Sequence, residues 1–85
     1  MTKEKALAII QKYIGNIDNN PEVTRTQEEC ANQLAKNTYT DPGYIQMVVY
    51  MYLPNPHKRE DLCKAYDKIA DEVSLEVTNQ YKEVM

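Results

Sequence analysis

The chain has 85 residues, of which 10 are basic and 13 acidic, and its net charge is −3 at pH 7. This length predicts a single domain over residues 1–85, which buries only about 60% of the surface of its unfolded chain and is therefore only modestly stable. The acidic balance argues against a general nucleic-acid binder, although a local basic face is compatible with it. No apolar leader follows the first residues, and no apolar run approaches the roughly 20 residues that cross a bilayer. We therefore expect a cytoplasmic protein with no membrane partner.

The two cysteines, Cys30 and Cys63, predict buried free thiols, because disulfides are rare in reducing compartments. A bridge between two helices is the alternative. The cysteines lie 33 positions apart, and His57 is the one histidine, so the short ligand spacing of zinc sites is absent. We expect no metal and no cofactor.

The first apolar pattern predicts a helix over residues 3–17, with Thr2 as its N-cap. Its apolar residues recur with the spacing of a stripe that faces a core. Gly15 begins the exit from this helix, and the segment 18–21 has the composition of a loop. The stripe comprises Ala6, Ile9, Ile10, Tyr13, Ile14 and Ile17.

The second helix is predicted to begin near Thr26 and to end near Lys36. The residues Thr26-Gln27-Glu28-Glu29 match a capping box, in which the first and fourth side chains each bond the backbone N–H of the other. The apolar stripe that follows is narrow and made mostly of small side chains. It comprises Cys30, Ala31, Leu34 and Ala35.

The stretch from Tyr44 to Leu53, YIQMVVYMYL, contains a single polar residue outside its tyrosines, Gln46. Its β-branched and aromatic residues favour a strand, and Asp41-Pro42-Gly43 is compatible with a turn leading into one. The same three residues also match a helix start, with Asp41 as N-cap and Pro42 at the first helical position. Because no other stretch offers a clear partner strand, we interpret 44–53 as a buried helix on which the others pack.

Pro54-Asn55-Pro56 interrupts the chain, and Asn55 then caps a last helix of about 27 residues. A helix of that length spans about 40 Å, whereas about 15 residues span 22 Å. We therefore expect the part beyond Ser74 to overhang the bundle or dock on a partner, or else to fray. The last helix carries the row Val73, Val77, Tyr81 and Val84 beyond the length that the other three helices can span. The sequence thus predicts an all-α fold, a small four-helix irregular antiparallel bundle with a long C-terminal helix. Its expected buried residues include Ile10, Met47, Leu62 and Ile69.

The sequence carries no arrangement typical of catalysis. Its only glycines are Gly15 and Gly43, so a glycine-rich phosphate loop is absent, and no serine or cysteine has the context of a nucleophile. Its adjacent acidic residues have the pattern of solvent-facing charge. We expect a protein that is not an enzyme.

Tyrosine and methionine are concentrated in the central stretch, and both residue types are enriched at protein interfaces. The leading hypothesis is a small soluble protein-binding module of the inhibitor, immunity or adaptor type, which acts by association. Its partner is another protein, and a homodimer is expected as well. The proposed partner-binding residues are Tyr44, Met47, Tyr50, Met51, Tyr52, Val77 and Tyr81.

Two alternatives remain open. The segment 26–35 resembles the first helix of a helix-turn-helix regulator, but the connector lacks glycine and the next segment lacks the Arg and Lys of a recognition helix, so we expect no nucleic-acid partner. Basic residues at predicted helix N-termini indicate a nucleotide or other anion binder instead, since these termini attract anions. The candidate anion-binding residues are Arg25, His57, Lys58 and Arg59.

Overall fold

Four helices account for the described backbone: α1 (Lys3–Ile14), α2 (Pro21–Lys36), α3 (Pro42–Tyr52) and α4 (Glu60–Val84). The computed structural model describes the backbone of residues 1–15, 21–53 and 60–84, and the side chains of 1–15, 26–53 and 60–80. Within these ranges there is no strand, and the helices pack as a small bundle, which confirms the predicted all-α fold. The predicted loop at 18–20, the place of Ile17 on the first stripe and the Asn55 cap lie outside the described residues.

α1 begins as predicted and ends earlier than predicted. The Thr2 hydroxyl accepts a hydrogen bond from the Lys5 N–H at 3.1 Å, so Thr2 is the N-cap. The helix stops at Ile14 because Gly15 takes a φ of +67°, a conformation that side chains with a Cβ rarely adopt. The Gly15 N–H still donates to the Gln11 carbonyl at 2.8 Å, which closes the last turn.

α2 begins at Pro21, so the prediction of a start at Thr26 is wrong. Proline is compatible with the first turn of a helix, where its missing N–H would have no partner, and the helix therefore extends back beyond the apparent capping box. Gln27, read from the sequence as part of that box, is fully buried instead. Its Nε2 donates to the Gly15 carbonyl at 3.1 Å and so fastens the end of α1 to α2.

α3 is a helix, which decides between the two interpretations of the central stretch. The Asp41 carboxylate accepts from the Gly43 N–H at 3.1 Å, and Pro42 occupies the first turn. Its position is not central, however, because the main helix contacts run α1–α2, α2–α3, α3–α4 and α4–α1, around a shared core. Only Ile45 and Val49 of α3 are buried, and Leu53 follows them into the core.

α4 is long because two helices cover different parts of it. With 25 residues it spans about 37 Å, close to the longest dimension of the molecule, 41 Å. α3 runs antiparallel along α4 between Cys63 and Ser74: the Tyr50 hydroxyl donates to the Cys63 carbonyl, and the Ser74 hydroxyl donates to the Thr40 carbonyl just before α3. None of the helices, over the residues described, is both long and apolar enough to cross a membrane.

α1 covers the second half of α4, also antiparallel. The Met1 ammonium donates to the Gln80 side chain at 3.0 Å, and the Lys5 and Glu76 side chains pair at 3.0 Å. Val73 and Val77 are consequently buried in the core. The expectation that this row overhangs the bundle as an exposed surface is therefore wrong for these two valines.

The core collects residues from all four helices, and it only partly matches the predicted set. Ile10 and Ile69 are buried as predicted, and Leu62 is half-buried. Met47 was predicted to be buried, but half of its surface is exposed, because α3 turns Ile45 and Val49 inward in its place. The largest fully buried side chains include Tyr66, Ile10, Leu34, Ile45 and Ile69.

Neither cysteine forms a disulfide. Cys30 is fully buried as predicted, whereas Cys63 is only half-buried. Burial raises the pKa of the Cys30 thiol to about 12, since a thiolate is poorly solvated in an apolar core.

This difference predicts two distinct thiol reactivities. In the native protein at pH 8, we expect a maleimide to modify Cys63 first and Cys30 only after the fold opens, because the thiolate is the reacting form. In denaturant, both should react without prior reduction. Intact mass after timed labelling measures this. Equal native rates at the two thiols, or a mass two hydrogens below that of the free dithiol, would contradict the assignment.

Candidate functional site

The outward side of α3 carries a row of exposed apolar side chains. Tyr44, Met47 and Met51 are 38%, 52% and 66% exposed, and their spacing of three and four residues aligns them along one side of the helix. Tyr39, in the connection before α3, is 59% exposed, and its ring lies 4.6 Å from that of Tyr44. We call these four residues the tyrosine–methionine face.

The face exists because α3 has more apolar surface than the bundle can cover. Ile45 and Val49 fill the core side of the helix, and Val48 and Tyr52 are half-buried beside them. The remaining side has no helix against it among the described elements. Large apolar side chains that lie together on such a side are typical of an interaction surface rather than of scattered surface residues.

Tyr50, a predicted partner-binding residue, is turned towards α4 instead. Its hydroxyl donates to the Cys63 carbonyl and lies near the Asp67 carboxylate, both at 3.4 Å. Its ring meets the Tyr66 ring edge-on, with centroids 5.2 Å apart. Burial, with the Cys63 hydrogen bond and the Asp67 charge, raises the pKa of Tyr50 to about 12. Tyr50 therefore holds α3 against α4.

The connection that carries Tyr39 is fixed by hydrogen bonds. The Asn37 side chain accepts from the Tyr39 N–H at 3.0 Å and donates to the Tyr39 carbonyl at 2.9 Å. The Ser74 hydroxyl donates to the next carbonyl, that of Thr40. Because these bonds are made within the chain, Tyr39 is placed beside Tyr44 before any partner arrives, and a preorganised surface loses less entropy on binding.

Charge is absent from the helix that carries the face. Residues 42–53 contain no acidic or basic side chain, and the nearest charge along the chain is Asp41 at the N-cap.

Two ion pairs between α1 and α4 help to hold the fold, Lys5–Glu76 at 3.0 Å and Lys12–Glu72 at 2.6 Å.

The Lys12–Glu72 pair belongs to a small network. The Glu72 carboxylate accepts hydrogen bonds from the Lys12 ammonium and from the Tyr13 hydroxyl, and these bonds lower the pKa of Glu72. They raise the pKa of both donors. All three groups are engaged in joining α1 to α4, so this cluster is structural.

Two other predicted partner-binding residues, Val77 and Tyr52, do not belong to this face. Val77 is buried in the core, and Tyr52 is half-buried against it. The side chain of Tyr81 lies outside the described residues. Tyr39 was not among the predicted partner-binding residues, because it lies in a connection, which has no periodicity from which the direction of a side chain follows.

The side chains of the candidate anion-binding residues lie outside the described residues, so their role stays a prediction. His57, Lys58 and Arg59 lie outside the described residues, as does the side chain of Arg25. The backbone of Arg25 lies in the second turn of α2, not before the helix as predicted.

A cavity of about 270 Å³ opens at the end of the bundle, between Met1, Val77, Gln80 and residues 35–38. It lies at the C-terminal end of α2, where the helix dipole places partial negative charge, so the backbone there disfavours an anion. Among the described side chains, no three His, Cys, Asp or Glu residues converge as a metal site would require.

The α2–connection–α3 unit has the order of a helix-turn-helix without its surface. The connection of residues 37–41 is followed by a helix whose exposed row is Tyr44, Met47 and Met51, none of which is a cation. A recognition helix presents polar and basic groups to bases and phosphates.

Comparisons with protein-family models, with curated proteins and with solved structures found no match. The chain's own surface is therefore the basis for a functional assignment.

Proposed function

We propose that this chain is a protein-binding module of the inhibitor, immunity or adaptor type, which acts by association and not by catalysis. The observation that carries this proposal is the tyrosine–methionine face, Tyr39, Tyr44, Met47 and Met51, exposed on one side of the bundle. Tyrosine and methionine are enriched in interface cores, and charged residues are depleted there. The face has both properties.

The size of the face supports the same proposal. A fully exposed Tyr or Met presents on the order of 200 Å², so these four residues together expose roughly 400 Å². A patch of that size is as large as the largest apolar patch of a typical monomer, and such patches are often functional. The partner we propose is another protein. A reducing cytoplasm suits the two free thiols.

A capture experiment tests the proposal. The tagged chain, immobilised on a resin and incubated with extract of its native host, should retain a specific protein. A variant with both Met47→Ser and Met51→Ser should retain at least about tenfold less of it, since truncating an interface anchor commonly costs more than 1.4 kcal/mol of binding free energy. Leu75→Ser is the matched control, because Leu75 is also 59% exposed but lies on α4. Retention that the face variant leaves unchanged would contradict the proposal.

The two alternatives remain predictions. A helix-turn-helix regulator would bind DNA with an affinity that falls steeply as salt rises. A nucleotide binder would be stabilised by about 2.7 kcal/mol at a ligand concentration of 100 times Kd, which a thermal melt detects.

A further inference from the structure

We infer that the tyrosine–methionine face takes a second copy of this chain, packed about a two-fold axis that passes near Met47, with the two α3 helices antiparallel. This inference rests on the proposed function, since both need the face to bind protein. It goes further by naming a second copy of the chain as one protein that the face binds, and by stating the orientation of the two copies.

Charge is the first argument for a second copy. The chain carries a net charge of −3, so two copies repel one another wherever charged surfaces meet. A two-fold interface pairs the same patch with itself, and charges of one sign on that patch would be opposed by the same charges of the partner. The helix from Pro42 to Tyr52 has no charged side chain, so two copies that pair through it bring no like charges of this helix together. An interface with a different protein does not need an uncharged patch, because interfaces between different proteins commonly use complementary charge to steer association.

Geometry is the second argument. Tyr44, Met47 and Met51 form a row with Met47 in the middle. An antiparallel two-fold pairing about Met47 sets Tyr44 of each copy against Met51 of the partner subunit. A methionine sulfur against an aromatic ring is a favourable contact, and this arrangement makes it twice.

The area predicts the strength of the dimer. About 400 Å² of exposed surface per copy, with half-buried Val48 and Tyr52 at its edge, is below the roughly 800 Å² per partner of a standard interface. The dimer should therefore be weak and concentration-dependent, with dissociation in the micromolar range. Association is one of the usual ways in which so small a chain gains stability.

Sedimentation of the purified chain over a range from about 1 to 500 μM tests the inference. The wild-type mass should rise from one copy to two, whereas Met47→Asp and Met51→Asp should weaken association at least about tenfold each. Leu75→Asp is the matched control, with the same added charge at an exposed position on α4, and it should dimerise like the wild type. Circular dichroism melts verify that each variant is folded. We expect the methionine variants to fold, because both methionines are exposed.

A charge-complementation experiment tests the orientation. Each of the variants Tyr44→Lys and Met51→Glu should associate weakly with itself. A mixture of the two should form a mixed dimer at least tenfold tighter than either variant's own dimer, because the new lysine and the new glutamate meet in the antiparallel pairing. A mixture of Tyr44→Lys and Tyr44→Glu should gain nothing, since those positions lie at opposite ends of the interface. Gain in the second mixture would overturn the antiparallel arrangement.

The failures of the two proposals are distinguishable. A wild-type chain that is monomeric throughout the range, or a dimer that Met47→Asp leaves intact, overturns the second-copy inference. If host capture still depends on Met47 and Met51 in that case, protein binding by the face stands. If the dimer forms through the face and the host extract yields nothing, self-association stands and the inhibitor or adaptor proposal falls.

Discussion

Replacing Ile69 with alanine should lower the free energy of unfolding by about 2–5 kcal/mol, the usual loss for truncating a buried isoleucine. Ile69 is fully buried in the middle of α4, in the core that all four helices share. Small domains have a total stability of about 5–15 kcal/mol, so the loss is a large fraction of what holds this chain folded. Urea denaturation followed by far-ultraviolet circular dichroism measures it.

Leu75→Ala is the control for this prediction. Leu75 lies six residues further along the same helix and is 59% exposed, so its truncation should change stability by no more than about 0.5 kcal/mol. The slope of the unfolding free energy against urea should be the same for both variants, since each still exposes the same surface on unfolding. An Ile69→Ala midpoint equal to that of the wild type would show that the core is not formed as described.

Replacing Val73 with aspartate should prevent folding at 25 °C. Val73 is fully buried in the core, and α1 covers this part of α4, so the new carboxylate would be desolvated without a partner there. An uncompensated buried charge costs about 3–5 kcal/mol, and the lost packing of the valine adds to it. The helical circular dichroism at 222 nm should fall to that of an unfolded chain.

Asn79→Asp separates burial from charge in this experiment. Asn79 is exposed on the same helix, so its substitution adds the same charge to the chain without burying it and should leave the fold intact. If instead Val73 belonged to an exposed interface, Val73→Asp would give a folded monomer with native helicity. That result would contradict the packing of α1 on α4.

Local chemistry in the sequence predicted the helices but not all of their bounds. Thr2 and Asp41 cap α1 and α3 as expected, because a cap is a contact between a side chain and a backbone N–H two or three residues away. Gly15 ends α1 through its own φ. The start of α2 was mispredicted for a related reason: a capping box is a short pattern that also occurs inside helices, and Pro21 permits an earlier start.

The sequence could not decide which side of α3 faces the core. A helix with apolar residues all round has no amphipathic pattern, so its rotation follows from the neighbours that it meets. Contacts with α2 and α4 turned Ile45 and Val49 inward and left Met47 and Met51 outside. The sequence therefore predicted the tyrosines and methionines as interface residues without separating Tyr50, which packs on α4, from Tyr44, which is exposed.

The sequence by itself determined that the last helix is long and that Val73 and Val77 lie on one side of it, because helical spacing is local. Only the tertiary structure decided what that side meets. α1 and α3 lie at different levels along α4, so two short helices together cover a length that neither could cover alone. That stagger is set by contacts between residues more than 30 positions apart, such as Met1 with Gln80 and Thr40 with Ser74, and no periodicity within one helix encodes them.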